Sequence, residues 1–161
     1  MRGICFIEPL FKDTASGRKI VTRRMNDLYN VGEVLFLKEP YRIEPDNVIK
    51  YKFSSLQPDK EKWSNKLFMK ADYARYFIKI TDKRREHLQE ISEEDCILEG
   101  VREGKCGNEL KWMKAFYAPG DNQPYLTARS AFEELINRIN GPGTWENNPV
   151  VTRYEFKLVD F

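Results

Sequence analysis

The sequence is poor in the residues that most often carry metal binding, acid–base catalysis and disulfide bonds. It contains one histidine, His87, and three cysteines in 161 residues. Cys5, Cys96 and Cys106 are odd in number, and no two of them have the two-residue spacing of zinc or redox motifs. We therefore expect free thiols, no metal site and no cofactor, and the single histidine does not indicate a Ser-His-Asp arrangement.

Long hydrophobic runs and a strong excess of one charge are also absent. No apolar stretch approaches the roughly 18 residues that a membrane span needs, and Glu8 interrupts the short apolar segment at the start. Lysine and arginine number 27 against 25 aspartates and glutamates, which leaves a net charge of +2. We expect a cytoplasmic protein without a membrane partner, in which any nucleic-acid contact depends on a local basic patch.

Length and composition predict a single domain over residues 1–161. A chain of about 150 residues can bury a core without disulfides or a metal. Apolar alternation typical of strands dominates, short helices interrupt it, and the regular crossovers of doubly wound sheets are missing. This pattern favours an α+β fold built on a small, mostly antiparallel β-barrel or curved sheet with flanking helices.

Local patterns indicate where these elements lie. Alternating or β-branched residues predict strands at residues 4–7, 20–22, 31–37, 47–53, 76–80 and 152–158. Helices are predicted from Pro9 toward Gly17, from the N-cap Ser92 to Gly100, and from Thr127 to Gly141. Glycines and prolines make residues 101–126 an expected irregular insertion, with a helical piece at residues 110–116.

The side chains that could carry chemistry begin in a basic segment. Residues 1–24 hold six lysines and arginines against two acidic residues, so this segment carries +4 in a chain whose total is +2. Arg18, Arg23 and Arg24 are candidates for binding a phosphate, because a guanidinium offers a planar fork of donors. The alternative is a solvated edge strand whose charge prevents pairing with other chains.

Four further residues are candidates for a site. Glu99 lies in the last turn of its predicted helix, where the helix dipole disfavours a carboxylate by about 0.3–1 kcal/mol. Such a group suits a general acid or base, or it is an ordinary exposed helix end. Trp145 can stack on a nucleobase or plug one end of a barrel. Glu39 and Tyr41 follow an apolar strand and either face a pocket or only turn the chain.

Several short motifs occur along the chain in an order that a known family shares. They comprise residues 17–19 with Thr22 and Arg24, then residues 31–35, 91–100 and 154–156. Together they resemble an ASCH domain of the PUA-like superfamily, with residues 101–126 as an insertion. Residues 91–100 and the stretch 139–149 around Trp145 are similar to a subgroup common in phages and prophages.

The resemblance implies a basic cleft beside a small β-barrel that binds RNA or a modified nucleoside or nucleotide. Some compact members are amidohydrolases that remove the acetyl group from N4-acetylcytidine with a lysine, a threonine and a glutamate. By motif position these correspond to Lys19, Thr22 and Glu99. Residues three apart on a regular strand point to opposite faces, so a shared site requires Lys19 to lie in the turn or the strand to bulge.

Three hypotheses from different classes follow. The leading one is binding of RNA or a modified nucleoside in the basic cleft. The second is a nucleoside amidohydrolase, in which Lys19 takes the proton of Thr22 and Glu99 donates a proton to the leaving amine. The third is a phage-derived protein-interaction module, in which the 101–126 insertion forms an exposed apolar patch.

Overall fold

The computed structural model describes residues 1–161 as a mixed α+β fold in which strands outnumber helices. In chain order the elements are β1 (Arg2–Cys5), α1 (Glu8–Ala15), β2 (Val21–Arg24), β3 (Val34–Lys38), β4 (Tyr41–Ile43), β5 (Ile49–Tyr51), β6 (Phe77–His87), α2 (Glu93–Glu99), β7 (Arg102–Asn108), β8 (Lys111–Tyr117), α3 (Ala128–Asn140), α4 (Thr144–Asn147) and β9 (Val150–Val159). None of the helices combines the length and the apolar composition that crossing a membrane requires.

The main sheet has five strands in the order β1-β3-β6-β9-β2. Only β1 and β3 run parallel, and the other pairs are antiparallel. The two edge strands come close together, because Arg24 in β2 donates a 2.7 Å hydrogen bond to the carbonyl of Cys5 in β1. The sheet is therefore strongly curled, although no hydrogen-bonded ladder joins β1 to β2 and the structure does not show a closed barrel.

Strand β9 lies between two hydrophobic clusters. On one face, Tyr154 and Phe156 pack with residues of β1, β3 and β6 and with Leu10 and Phe11 of α1. On the other face, Val151 belongs to a second cluster formed largely by α2 and α3. Arg153 lies in the part of β9 that is covered on both faces and is itself buried, so its charge needs a buried partner.

Helix α2 is positioned by features that its sequence predicts. The Ser92 hydroxyl accepts a hydrogen bond from the Asp95 amide at 3.1 Å, which caps the first turn. Gly100 ends the helix with a φ of +122°, and a Cβ there would lie 2.7 Å from a side-chain carbon of Leu10. A glycine is therefore required at this point, and the close approach sets α2 directly against α1.

Four sequence-based expectations need correction. Residues 102–117 are not irregular, because β7 and β8 pair from Arg102 opposite Tyr117 to Asn108 opposite Lys111. The helical piece expected at residues 110–116 is strand β8, whose alternate residues lie on opposite faces. The strand expected at residues 47–53 is only Ile49–Tyr51, and it pairs with β4 outside the main sheet. Strand β6 also runs on through the charged residues to His87.

Candidate functional site

A cavity of about 420 Å³ lies where the curled sheet meets α3. Its lining residues form an apolar set, called here the apolar wall, and a charged and polar set, called here the polar wall. The apolar wall includes Phe6, Leu10, Phe132, Leu135, Ile136 and Ile139, and the polar wall includes Lys19, Thr22, Arg23, Arg24, Asn26, Lys66, Glu99 and Asn140. Five of the nine predicted site residues therefore line one concavity.

The carboxylate of Glu99 joins the end of α2 to the basic segment. Its Oε2 accepts a 2.6 Å hydrogen bond from Lys19 Nζ, and its Oε1 accepts one of 3.2 Å from Arg23. The side chains of all three are at least nine-tenths buried. These two cations supply the positive charge that the C-terminal end of a helix lacks, which explains how α2 accommodates an acid in its last turn.

Lys19 precedes β2, as a site shared with Thr22 requires. Its ammonium group also donates to the carbonyls of Val21 at 2.6 Å and of Glu99 at 2.8 Å. All three donors of the charged amine are thus used. Burial lowers the pKa of Lys19, and the neighbouring Glu99 opposes that change only in part.

Thr22 brings a hydroxyl group to the same cavity. It lies on the face of β2 opposite to Arg23 and is almost fully buried. No protein group accepts or donates a hydrogen bond at its hydroxyl, whereas the buried hydroxyl of Thr14 donates to the Leu10 carbonyl at 2.8 Å. A hydroxyl without a protein partner on a cavity wall is free to contact a ligand.

Arg24 and Lys66 are the cations of the polar wall without a carboxylate partner, and only Arg24 has a buried nitrogen that makes no hydrogen bond. One terminal nitrogen donates to Cys5, and the buried Nε has no partner. The guanidinium carbon also lies 5.0 Å from the centre of the Phe6 ring. Burial lowers the pKa of Arg24. This cation is suited to bind an anion that enters the cavity.

Arg23 has the opposite environment, although it is the next residue. Its guanidinium contacts three carboxylates: Glu99, Asp95 at 2.5 Å and Glu86 at 2.7 Å. The side chain is 1% exposed. Arg23 was a candidate for binding substrate, but its donors are already occupied by protein acids, so it orients Glu99 and does not present a free charge.

Asp95 holds together two arginines that face each other across strands. Arg23 in β2 is directly opposite Arg153 in β9, and such like-charged pairs destabilise a sheet. Asp95 Oδ2 accepts from both, at 2.5 Å and 2.7 Å. Burial acts to raise the pKa of Asp95, but the hydrogen bonds from Arg153 and Arg23 outweigh it and lower the pKa to about 2.

Four predicted site residues lie outside the cavity. Arg18 is exposed on the turn before Lys19. Glu39 is fully buried and binds Arg75 through both oxygens, at 2.8 Å and 2.6 Å. Tyr41 packs in a small cluster with Phe36 and Met69. Trp145 packs edge-on against Phe132 at 6.2 Å, behind the cavity wall. In these positions Glu39 forms an ion pair, and Tyr41 and Trp145 contribute to packing.

Sequence reasoning missed the apolar wall and the role of Asp95. The residues of α3 show helical spacing, which by itself indicates only a core-facing helix. Nothing in that spacing distinguishes Ile139, which is 43% exposed in the structure, from the buried residues on the same face of the helix. No signal identified Asp95, because acidic residues are common in the first turn of any helix.

The chain matches no protein-family model, no curated protein and no solved structure. No group of three or more histidine, cysteine, aspartate or glutamate side chains is arranged to hold a metal ion. The buried Cys96 has its thiol pKa raised to about 12 by burial, so it is not a reactive nucleophile. The cavity itself presents amine, hydroxyl, guanidinium and carboxylate groups, together with the thiol of Cys5 and the amides of Asn26 and Asn140.

The two neighbouring arginines should differ sharply in their effect on stability. Arg23→Met removes the one cation shared by three largely buried carboxylates and should lower the free energy of unfolding by about 3–5 kcal/mol. Arg24→Met removes an unpaired, partly buried cation and should change it by less than about 1 kcal/mol. Urea denaturation of both variants measures this difference, and equal losses would contradict the assignment.

The ion pairs of Asp95 should make stability depend on pH in the acid range. Its pKa is about 2 in the folded protein against 3.8 as the ordinary value. The stabilisation is therefore complete above about pH 4 and is lost as the pH falls toward 2, by roughly 2 kcal/mol. The loss of unfolding free energy caused by Asp95→Asn should be larger at pH 7 than at pH 2 by this amount. A loss that is the same at both values would show that the ion pairs do not act in this way.

Proposed function

We propose that this protein binds a modified nucleoside or nucleotide, free or within RNA, in the cavity beside β2. The observation that carries the proposal is the guanidinium of Arg24, which has no carboxylate partner, next to an aromatic ring and an unbonded threonine hydroxyl. The resemblance of the motif order to ASCH domains supports the same class of ligand. In this proposal the curled sheet corresponds to the small β-barrel of the PUA-like superfamily.

The shape and chemistry of the cavity suit a nucleoside. A volume of about 420 Å³ lies within the range of roughly 300–1,000 Å³ typical of small-molecule sites. A nucleobase has flat apolar faces, which match the wall that contains Phe6 and Leu135. Its polar edge can hydrogen-bond to Thr22 and Asn140, and a phosphate can pair with Arg24.

Binding should depend on Arg24 most strongly when the ligand carries a phosphate. Arg24→Met should weaken binding of N4-acetylcytidine 5′-monophosphate about 10- to 100-fold, because a hydrogen bond to a charged group is lost. The same substitution should weaken binding of the uncharged nucleoside much less. Isothermal titration calorimetry measures both affinities.

Arg18→Met is the matched control for this experiment. It removes an arginine of the same basic segment that lies outside the cavity, so binding should stay within about two-fold. If Arg18→Met weakens binding as much as Arg24→Met, general charge attraction explains the affinity. That result, or no binding by the wild-type protein, contradicts the proposed site.

The 2.6 Å contact between Lys19 and Glu99 favours amide hydrolysis as a second candidate function. A proton passed from Lys19 Nζ to Glu99 Oε2 leaves a neutral amine beside a neutral acid. The amine then accepts the Thr22 proton as the hydroxyl oxygen bonds to the acyl carbon. Glu99 donates its proton to the nitrogen as the C–N bond breaks.

This sequence releases cytidine and leaves the acyl group as an ester of Thr22. Water hydrolyses the ester, which frees the carboxylic acid and restores the threonine hydroxyl. Arg24, a cavity cation without a carboxylate partner, would stabilise the oxyanion that forms in each half of the reaction. The three carbonyl and carboxylate oxygens around Lys19 Nζ hold the resting ammonium in place until its proton is transferred.

Hydrolysis is tested by incubating the protein with N4-acetylcytidine and measuring cytidine by chromatography. Thr22→Val should abolish turnover, and Thr22→Ser should retain it because the attacking hydroxyl is preserved. Since the reacting form of the Lys19–Glu99 pair holds one proton, the rate should fall as the pH rises through the pKa of Lys19, which burial lowers from the ordinary lysine value. Turnover that persists in Thr22→Val excludes this mechanism but leaves the binding proposal standing.

A further inference from the structure

The β7–β8 hairpin is a second surface whose residues the cavity does not use. It is a two-stranded sheet, separate from the five-stranded one. Large apolar side chains are exposed along it, with Leu110 96%, Trp112 57% and Met113 49% accessible to solvent. Packing does not account for these side chains.

Two lysines on the hairpin face each other across the strands. Lys105 is directly opposite Lys114, and like charges in such a pair destabilise a hairpin. Glu103 lies 3.1 Å from Lys114 and offsets part of this charge. Lys105 has no ion pair, so the two lysines and one glutamate leave a net positive charge. The pair becomes favourable when a further anion lies between the lysines.

Trp112 shares this face with the two lysines and has an uncovered ring. Residues two apart on a strand lie on the same face, which places Trp112 beside Lys114. The residue opposite Trp112 is Gly107, so no cross-strand side chain covers the indole. Only glycine fits at position 107, because its φ is +131° and a Cβ there would lie 2.1 Å from the Lys111 carbonyl oxygen.

The arrangement of these side chains favours a nucleic acid over a protein partner. A protein interface needs a continuous apolar core. Here Met113 lies on the opposite face from Trp112, and Leu110 lies in the turn, so the exposed apolar residues do not form one patch. An aromatic ring flanked by lysines instead matches a strand of alternating bases and phosphates.

We propose that the β7–β8 hairpin binds single-stranded RNA, with a base stacked on Trp112 and the adjacent phosphates next to Lys105 and Lys114. The choice of RNA rests on the proposed function of the cavity. The hairpin surface extends that function, because a polynucleotide whose modified base enters the cavity needs further contacts for the rest of its strand.

The test is binding of an unstructured 12-nucleotide oligouridine, measured by fluorescence anisotropy at several salt concentrations. Trp112→Ala should weaken binding about 5- to 150-fold, the range for loss of one stacked base. Trp112→Phe should restore most of the affinity. Replacing both Lys105 and Lys114 by alanine should make the slope of log K against log salt shallower by about 1.4, as expected for two phosphate contacts to a single strand.

Met113→Ala is the control, because it removes an exposed apolar side chain from the other face of the same strand. It should leave binding unchanged. Unchanged binding in Trp112→Ala overturns the inference, as does a Met113→Ala variant that is equally impaired. Equal affinity for a duplex of the same length also overturns it, since paired bases cannot stack on the indole.

The same assay separates this inference from the proposed function of the cavity. If mononucleotides do not bind but oligouridine binding still depends on Trp112, the cavity proposal fails and the hairpin proposal stands. If mononucleotide binding depends on Arg24 while Trp112→Ala has no effect on oligouridine binding, only the hairpin proposal fails.

Discussion

The structure around the cavity depends on one buried carboxylate, that of Glu99, which is shared by Lys19 and Arg23. Removing an ammonium, a guanidinium and a carboxylate from water costs several kcal/mol for each ion unless they contact one another. Glu99 contacts the Lys19 ammonium at 2.6 Å and the Arg23 guanidinium at 3.2 Å. These contacts exist only while the end of α2 lies against the start of β2. The electrostatics thus fixes the place where a helix end and a strand meet, and the cavity opens at that place.

The two adjacent arginines on β2 differ in role: Arg23 stabilises the fold, and Arg24 is available to a ligand. Arg23 faces α2, where acidic side chains balance its charge, while Arg24 faces the cavity, where none does. The alternation of side chains along a strand produces this difference without any change of residue type. A cation that is desolvated but unpaired costs free energy in the empty protein, and an anionic ligand recovers that free energy on binding. The same reasoning applies to the opposed lysines of the hairpin, at an exposed and therefore weaker site.

Several parts of this arrangement are predictable from the sequence. The cap at Ser92 and the stop at Gly100 define α2, and of the two alternatives left open for Lys19, a place in the turn or a bulged strand, the structure shows Lys19 before the strand. The meeting of Lys19, Thr22 and Glu99 at one cavity was expected from the resemblance to ASCH domains, and the structure places all three there. Whether they catalyse a reaction stays a prediction.

Other parts depend on tertiary contacts that a single sequence does not reveal. The alternation in β9 predicts that Arg153 is solvated, whereas α2 covers that face and Asp95 pairs with it. Glu39 and Trp145 have residue types suited to a site, but distant partners, Arg75 and Phe132, hold them elsewhere. The hairpin at residues 102–117 was not predicted, because glycines in this stretch indicated an irregular loop. Glycines are typical of such loops as well as of tight turns between strands.

A crystal structure of the protein with N4-acetylcytidine 5′-monophosphate tests the central claim most directly. The account predicts the base inside the cavity beside Phe6 and Thr22, with an anionic oxygen of the ligand bound to the guanidinium of Arg24 while Arg23 keeps its three carboxylate contacts. A ligand bound away from this cavity, or one inside it that leaves Arg24 without an anionic partner, would contradict it.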